Sequence, residues 1–229
     1  MMRTEDPYYP SFEQRRLALL RQLAIEQVID VGANRGQYAQ DLRSHSYTGN
    51  IVSFEPMRQA HAALVATAQS DPKWEIAPPV ALGRQEGTAE LNVANNSISS
   101  SLLPMRETHL QASPESHYIG QETVKVRTLD SFLTDGTIAE TSTFLKIDTQ
   151  GYEEQVLSGA TSMLTFVRGL ELELSLVTLY DQQMLAWELV RRLREAGWDC
   201  FGIRPGFSDP VTKRMLQMDA LFVRESLDV

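Results

Sequence analysis

The sequence contains a single cysteine, Cys200, and no long apolar run among its 229 residues. One cysteine excludes an intrachain disulfide and a cysteine-rich zinc site, so the chain is not a disulfide-stabilised secreted domain. No stretch approaches the roughly 20 apolar residues that a membrane-spanning helix needs, and we expect no membrane span. Residues 1–10 lack the apolar segment of a signal peptide, so we expect a cytoplasmic protein.

Positive charge is also scarce. Lys and Arg number 21 against 30 Asp and Glu, which gives a formal net charge of −9. An acidic chain offers little attraction to phosphate groups, so we expect neither a nucleic-acid partner nor binding to an anionic membrane surface. The hydrophobic fraction of 42% is ordinary for a globular protein, and no linker rich in Pro, Gly or Ser divides the chain. We therefore predict one domain over residues 1–229.

Strand-like apolar segments alternate with helix-like segments along the chain. The predicted strands are 27–31, 51–55, 74–81, 87–94, 124–126, 143–148, 170–176, 198–203 and 218–223. This alternation predicts an α/β fold with a mostly parallel sheet and helices on both faces. Only a loop separates the last two strands, which predicts an antiparallel pair there. A capping box of Ser11 and Gln14 opens the helix of an N-terminal extension, residues 1–26.

A polar segment, residues 95–120, is too long for an ordinary connection and is predicted to be a loop. Such loops often cover or bind a substrate, so we predict a lid or substrate-binding role. The segment contains Ser100 and Ser101, which we expect to contact the substrate, and His109. His109 is a candidate general base delivered by the lid, and a solvated loop histidine is the alternative.

A glycine-containing loop, residues 30–36, follows the first predicted strand. Glycines there let the backbone approach a ligand closely and adopt positive φ. Glu55 ends the second predicted strand, where a carboxylate accepts hydrogen bonds from a ribose diol. The two features together predict a ligand that contains a nucleoside. The alternative is a tight strand-to-helix turn that binds nothing.

The loop also discriminates between nucleoside cofactors. In the dinucleotide fingerprint G-x-G-x-x-G the middle position is glycine, but this chain has Asn34 there, and Asp30 lies two residues before the first glycine of the loop. A pyrophosphate needs that glycine and is repelled by a nearby carboxylate. S-adenosylmethionine has no phosphate and carries an ammonium and a sulfonium, which suit Asp30. The residues favour S-adenosylmethionine, and an NAD-dependent oxidoreductase is the alternative.

Three segments carry a family resemblance: VIDVGANRGQY at 28–38, SFEP at 53–56 and FLKIDTQGYE at 144–153. They resemble the FkbM-type family of class I S-adenosylmethionine-dependent methyltransferases, and the resemblance runs from about residue 28 to 223. It implies a Rossmann-like fold with a seven-stranded sheet whose last strand is antiparallel. It also implies methyl transfer to a hydroxyl of a sugar, glycan or glycolipid, or of a related natural product. A non-catalytic cofactor-binding interaction module is a third reading, which the presence of both Asp30 and Glu55 disfavours.

The resemblance implies a set of cofactor-binding residues. Asp30, Gly32, Asn34 and Gly36 are expected to line the amino-acid end of the cofactor, and Glu55 to hold the ribose. Neighbouring positions complete the expected cofactor site: Ala33, Tyr38, Pro56 and Leu82.

A hydroxyl is a poor nucleophile, so a positioned base or a metal is expected near the methyl group. Asp148 ends a predicted strand at the ligand-bearing edge, and Lys146 lies two residues earlier on the same side of that strand. A charged pair in an apolar strand is costly to bury, which favours a catalytic role for both residues. The alternative is a structural ion pair or a helix cap.

Glu173 lies on the next predicted strand and is expected to face the same pocket as Asp148. Two such carboxylates can act as base and acceptor-binding group, or hold Mg²⁺ through oxygen ligands. The alternative places Glu173 on a solvated face. Tyr180 follows this strand and is a further candidate contact for a small-molecule or glycan acceptor. The sequence leaves the oligomeric state open, a homodimer included.

Overall fold

Ten strands and seven α-helices lie along residues 8–224, the part of the chain that the computed structural model describes. The strands are β1 (Gln27–Val31), β2 (Asn50–Phe54), β3 (Trp74–Ile76), β4 (Val80–Leu82), β5 (Gly87–Ala94), β6 (Tyr118–Arg127), β7 (Thr143–Ile147), β8 (Val167–Ser175), β9 (Trp198–Pro205) and β10 (Gln217–Arg224). The helices are α1 (Phe12–Gln22), α2 (Gln37–Ser44), α3 (Arg58–Ala68), α4 (Glu107–Ala112), α5 (Leu129–Thr134), α6 (Glu153–Ser158) and α7 (Ala186–Glu195). Short 3-10 turns cover Pro114–Ser116 and Met163–Thr165.

Seven of the strands form one sheet in the order β3-β2-β1-β7-β8-β10-β9. The pairs among β3, β2, β1, β7 and β8 are parallel, whereas β10 runs antiparallel to both of its neighbours. The predicted mostly parallel sheet with an antiparallel last strand is therefore confirmed. The register places Lys146 opposite both Asp30 and Glu171, and Asp219 opposite Glu173, so charged side chains collect on adjacent strands.

Helices cover both faces of this sheet. Alternate residues of the central strands point to opposite faces. Ile29 and Leu145 belong to a core cluster with residues of α5, α6 and α7, whereas Val28 and Phe144 pack with residues of α1, α2 and α3. Every residue of β1 and β7 is buried, as expected for central parallel strands. Among residues 8–224, no helix is long and apolar enough to cross a membrane.

A second sheet of three strands, in the order β4-β6-β5, was not predicted. The prediction of one continuous strand over residues 74–81 is wrong, because this segment divides into β3 of the large sheet and β4 of the small one. Pro78 and Pro79 lie at the break, and proline cannot donate to a strand ladder. The small sheet stands beside the carboxyl ends of the large one, where Ala81 and Leu82 of β4 line the main cavity.

The prediction of a loop through residue 120 is wrong for its second half. Residues 95–120 contain α4, the 3-10 turn and the start of β6. Buried serine hydroxyls form hydrogen bonds with one another here. The Ser116 hydroxyl lies 3.1 Å from that of Ser99 and 2.7 Å from that of Ser113. The segment is folded against the sheet because its polar groups find partners within it.

The N-terminal helix begins as predicted. The Ser11 hydroxyl accepts from the backbone N–H of Gln14, and the Gln14 side chain accepts from the N–H of Ser11, which completes the capping box. Residues 1–7 of the predicted extension, like residues 225–229, lie outside the described residues.

Candidate active site

A cavity of about 640 Å³ lies at the carboxyl ends of β1, β2 and β7. Val31, Phe54 and Ile147 end these three strands and form part of its wall. The volume lies in the range of small-ligand sites, and ligands of open α/β sheets bind at this edge. Predicted residues that line the cavity are Gly32, Ala33, Asn34, Tyr38, Glu55, Pro56, Leu82, Ser100, Ser101, His109, Lys146, Asp148 and Glu173.

The glycine loop owes its shape to two glycines with positive φ. Gly32 has φ +77°, and a Cβ there would lie 1.8 Å from the carbonyl oxygen of Asp148. Gly36 has φ +90°, and a Cβ there would lie 2.6 Å from the Trp74 ring. Gly32 lines the cavity, whereas Gly36 does not and instead lets α2 start against Trp74. The loop therefore packs closely on the end of β7, which brings Asp148 beside it.

The Glu55 carboxylate is held by the backbone. Its Oε2 accepts from the N–H of Asn34 at 2.9 Å, and its Oε1 accepts from the N–H of Met57 at 2.8 Å. Burial raises the pKa of Glu55 to about 7, although both N–H donors act in the opposite direction. Each oxygen retains a lone pair that a ligand hydroxyl can use. Asn34 itself has φ +47° and its amide donates to Ser97 at 3.3 Å.

Asp30 and Lys146 form an ion pair beneath the loop. Asp30 is fully buried and does not line the cavity, and its Oδ1 lies 3.1 Å from Lys146 Nζ. Lys146 also donates to the Gly32 carbonyl at 3.2 Å. Burial alone disfavours the ammonium, but the carboxylates of Asp30 and Asp148 raise the pKa of Lys146 above its ordinary value. Lys146 is thus the cation that joins Asp30 to the carbonyl of the glycine loop.

Asp148 and Glu173 share one amide. The side-chain N–H group of Gln150 donates to Asp148 Oδ1 at 2.9 Å and to Glu173 Oε2 at 2.7 Å. Gln217 donates to the same Glu173 oxygen at 2.6 Å. Burial and the charge of Asp148 raise the pKa of Glu173 well above its ordinary value. Asp148, with 37% of its side chain exposed, lies 3.8 Å from Lys146 Nζ.

The same geometry argues against a metal. The donor hydrogens of Gln150 occupy the space between the two carboxylates, where a cation would have to lie. Within residues 8–224, no group of three or more His, Cys, Asp or Glu residues could hold a metal ion. Asp148 and Glu173 therefore do not fit the alternative in which they hold Mg²⁺.

Tyr180 supports the site from behind. It is fully buried, does not line the cavity, and places its hydroxyl 2.8 Å from Gln150 Oε1. Ser101 donates from Oγ to the Gln150 carbonyl at 2.8 Å, and Ser100 Oγ accepts from the N–H of Ala94 at 3.0 Å. The predicted acceptor contacts Ser100, Ser101 and Tyr180 are thus already hydrogen-bonded within the protein. Ser101 and Tyr180 both bond to Gln150.

His109 lies on α4 with only 2% of its surface exposed, so the solvated alternative is wrong. Its ring contacts Tyr180 edge-on, with centroids 5.2 Å apart, and Phe207 at 5.1 Å. Burial lowers the pKa of His109 to about 4, and its Nδ1 has no partner. The ring is therefore neutral near pH 7 and borders the cavity.

The N-terminal helix contributes a part of the cavity that sequence reasoning missed. Arg16 is buried, pairs with Asp41, and lies 3.3 Å from Glu171. Its guanidinium lies 4.8 Å from the centre of the Tyr38 ring, and the Tyr38 hydroxyl donates to Glu171 at 2.7 Å. No local pattern distinguishes Arg16 from a solvated helix residue, because Glu171 lies 155 residues away.

Gln150 was also missed, although it lies inside the segment 144–153. Its φ of +55° is unusual for a residue other than glycine and turns its side chain between Asp148 and Glu173. Glu153 fixes this turn, because its Oε1 accepts from the N–H groups of Thr149 at 2.9 Å and Gly151 at 3.1 Å. The available signal was a polar residue directly before the glycine at a strand end.

The strand order and the cavity at the strand ends define a Rossmann-like fold of the class I methyltransferase kind. The model of the methyltransferase FkbM domain matches residues 30–200. The chain belongs to this family and is an S-adenosylmethionine-dependent methyltransferase. This result decides against the NAD-dependent oxidoreductase and the non-catalytic module.

The chain is also similar to solved structures at low sequence identity. A 1,6-didemethyltoxoflavin-N1-methyltransferase from Burkholderia thailandensis shares 10% identity with a TM-score of 0.48, over 92% of this chain and 76% of that one. A putative tRNA (m1A22) methyltransferase from Streptococcus pneumoniae shares 10% with a TM-score of 0.47, over 94% and 74%. A putative RNA methyltransferase from Pyrococcus horikoshii shares 12% with a TM-score of 0.44, over 91% and 80%. A comparison with curated protein sequences found no match.

Proposed function

We propose that this enzyme transfers a methyl group to a hydroxyl of a sugar, glycan or glycolipid, or of a related natural product, with Asp148 as the proton acceptor. The observation that carries the proposal is the position of Asp148, a partly exposed carboxylate at the end of β7 that faces the cavity beside the glycine loop. The cofactor supplies a methyl group bonded to a positively charged sulfur. The protein must therefore orient the hydroxyl and accept its proton.

The loop and the second strand fit the cofactor. Glu55 offers a carboxylate, fixed by two N–H donors, for the ribose diol. Gly32 and Asn34 line the cavity and would hold the amino-acid end, while Asp30 acts from beneath through Lys146. Apolar side chains of Pro56 and Leu82, both in the cavity wall, would contact the base. The guanidinium of Arg16 and the ammonium of Lys146 lie over the Tyr38 ring. Tyr38 would form the wall of the cofactor site on the side away from Pro56 and Leu82.

The two carboxylates beside the cavity are in unequal environments. Burial and the nearby charge of Asp148 raise the pKa of Glu173 well above its ordinary value, whereas the Asp148 side chain is 37% exposed. Because Glu173 Oε2 already accepts from two amides, a proton on its other oxygen is available to an acceptor oxygen. Asp148 would take the proton of the reacting hydroxyl, and Glu173 would orient that hydroxyl. Such a division of roles between neighbouring carboxylates is a common catalytic arrangement.

A transfer assay with methyl-labelled S-adenosylmethionine tests this function across methyl glycosides, oligosaccharides, glycolipids and polyketide alcohols, with and without a chelator. We expect label in an alkali-stable methyl ether, and no loss of activity with the chelator. Label on nitrogen, or label released as methanol by mild alkali as from a methyl ester, would contradict the hydroxyl acceptor. Loss of activity with the chelator would contradict the metal-free site.

A further inference from the structure

The cations of the cavity share one arrangement. Arg16, Lys146 and Arg204 are the Lys and Arg residues among the described residues that line it. They come from α1, β7 and β9, which are far apart in the chain. Each of them is nevertheless held between two carboxylates, so none presents an uncompensated positive charge.

Arg204 shows the arrangement most clearly. Its Nε donates to Asp219 at 2.8 Å, and its Nη1 donates to Glu13 of the N-terminal helix at 2.6 Å. The guanidinium is thereby fixed between β10 and α1. These charge-assisted bonds use two of its five N–H groups and compensate its positive charge, which weakens its attraction for an incoming phosphate or carboxylate.

The other two cations are engaged in the same way. Arg16 lies between Asp41 and Glu171, and both of its partners line the cavity. Lys146 lies between Asp30 and Asp148, at 3.1 Å and 3.8 Å. Within the described part of the chain, every lysine and arginine in the wall is therefore paired with two carboxylates.

Carboxylates outnumber cations in the wall. Eight Asp and Glu residues line the cavity against the three Lys and Arg residues. Even with Glu55 and Glu173 protonated in part, the remaining charge is negative and repels an anion that enters a partly dehydrated space. This field favours the positively charged cofactor and a neutral acceptor, and it opposes an acidic one.

Two residues of the cavity wall each carry a buried polar atom that has no partner within the described residues. His109 Nδ1 and Arg16 Nε have no hydrogen-bond partner, and both residues are 2% exposed and line the cavity. A buried polar atom without a partner is costly, and a polyhydroxylated ligand supplies donors and acceptors together. Phe207, packed against the His109 ring, adds an apolar surface for the face of a sugar ring.

We propose that this cavity selects its methyl acceptor by charge, taking a neutral, hydroxyl-rich carbohydrate and excluding sugars that carry a phosphate, sulfate or carboxylate. The selection rests on the proposed function, since it concerns the acceptor of the same site. Sugar nucleotides and uronic acids are excluded, whereas neutral glycosides and the neutral ends of glycans or glycolipids are accepted.

Matched pairs of small glycosides test the selection by binding and by turnover. Saturation-transfer NMR on the protein with S-adenosylhomocysteine compares methyl glucoside with methyl glucuronoside, methyl galactoside with methyl galacturonoside, and mannose with mannose 6-phosphate. We expect signal from the neutral member of at least one pair and kcat/KM at least about tenfold higher for it than for its acidic partner. Equal or stronger binding of the acidic members, or no binding by either member of every pair, would overturn the proposal.

The double variant Glu13→Gln/Asp219→Asn removes both carboxylates from Arg204 and provides the second arm. Among the pairs for which the unmodified enzyme binds the neutral member, we expect the double variant to bind the acidic member as well. The ratio of kcat/KM between the neutral and the acidic member should fall by about tenfold. Asp199→Asn removes an exposed charge from the same strand, outside the cavity wall, and should leave the preference unchanged. An unchanged preference in a folded double variant would overturn the role of the paired cations.

The two arms also separate this proposal from the proposed function. Binding of neutral glycosides without any methyl transfer would contradict hydroxyl methylation while the charge selection stands. Methyl transfer to acidic and neutral members alike would contradict the charge selection while hydroxyl methylation stands.

Discussion

The two sides of the cavity are built in different ways. The side formed by the glycine loop and Glu55 depends on backbone: positive φ at Gly32, and N–H groups that hold a carboxylate. The side formed by α1, α4 and the β9–β10 pair depends on side chains from distant segments, such as Arg16 and Arg204. We infer that the backbone side binds the cofactor, which all members of the family share. We infer that the side-chain side determines which methyl acceptor is bound.

The largest expected effect falls on the backbone side. Gly32→Ala places a Cβ 1.8 Å from the Asp148 carbonyl at a residue with positive φ. We expect a loss of roughly 3–6 kcal/mol in the free energy of unfolding, from the strain and the collision together. Chemical denaturation measures this loss, and calorimetry with S-adenosylhomocysteine should show no binding.

Gly136→Ala is the matched control for this substitution. Gly136 also has positive φ, at +82°, but a Cβ there meets nothing within 4 Å. Gly136→Ala should lower the free energy of unfolding by only about 1–2 kcal/mol and leave the affinity for S-adenosylhomocysteine intact. Equal losses in the two variants would show that close packing of the loop on β7 contributes nothing.

The next effect belongs to the side-chain side. Arg16→Met leaves the buried Glu171 carboxylate without its cation. We expect a loss of about 3–5 kcal/mol in the free energy of unfolding at pH 8. Adding Glu171→Gln should restore part of the loss, and a double-mutant cycle by thermal denaturation measures the coupling. Additive losses would contradict the ion pair.

The pH dependence of cofactor binding examines Glu55. With a pKa of about 7, the Glu55 side chain becomes protonated as the pH falls below 7. The ionised form, which we expect to bind the ribose, is then depleted. If only the ionised form binds, the affinity for S-adenosylhomocysteine should be about tenfold weaker at pH 6 than at pH 8. Glu55→Gln should bind more weakly at pH 8 and lose most of this dependence. A pH profile identical in the two proteins would rule out the ribose role.

The smallest expected effect concerns His109. His109→Phe keeps the aromatic contacts with Tyr180 and Phe207 and removes the ring nitrogens. We expect KM for the acceptor to rise several-fold, with kcat reduced less than about tenfold, since His109 would contact the acceptor without accepting its proton. Steady-state kinetics measure both. A loss of kcat of a hundredfold or more would make His109 the general base after all.

The sequence predicted the positions of Gly32, Glu55 and Asp148 at the strand ends because the signals for those positions are local. Gly32, Glu55 and Asp148 each end a strand or lie one residue beyond it, and the parallel order brings those ends together. The break between β3 and β4 was missed because the apolar pattern continues across two prolines.

The side-chain side could not be predicted in the same way. Arg204 and Glu13 are 191 residues apart, and no pattern along the chain records their contact. Gln150 is an uncharged polar residue between Asp148 and Gly151, and its φ of +55° gives it the geometry to join two carboxylates. Long-range pairing and backbone conformation, rather than composition, decide these contacts.

The rate of methyl transfer in Asp148→Asn tests the central claim most directly. A single turnover, with cofactor and acceptor both saturating, isolates the chemical step from binding and product release. We predict a rate at least about a hundredfold below that of the unmodified enzyme, with affinity for S-adenosylhomocysteine within about threefold. Asp199→Asn should retain full activity. A rate in Asp148→Asn within threefold of the unmodified enzyme would contradict Asp148 as the proton acceptor.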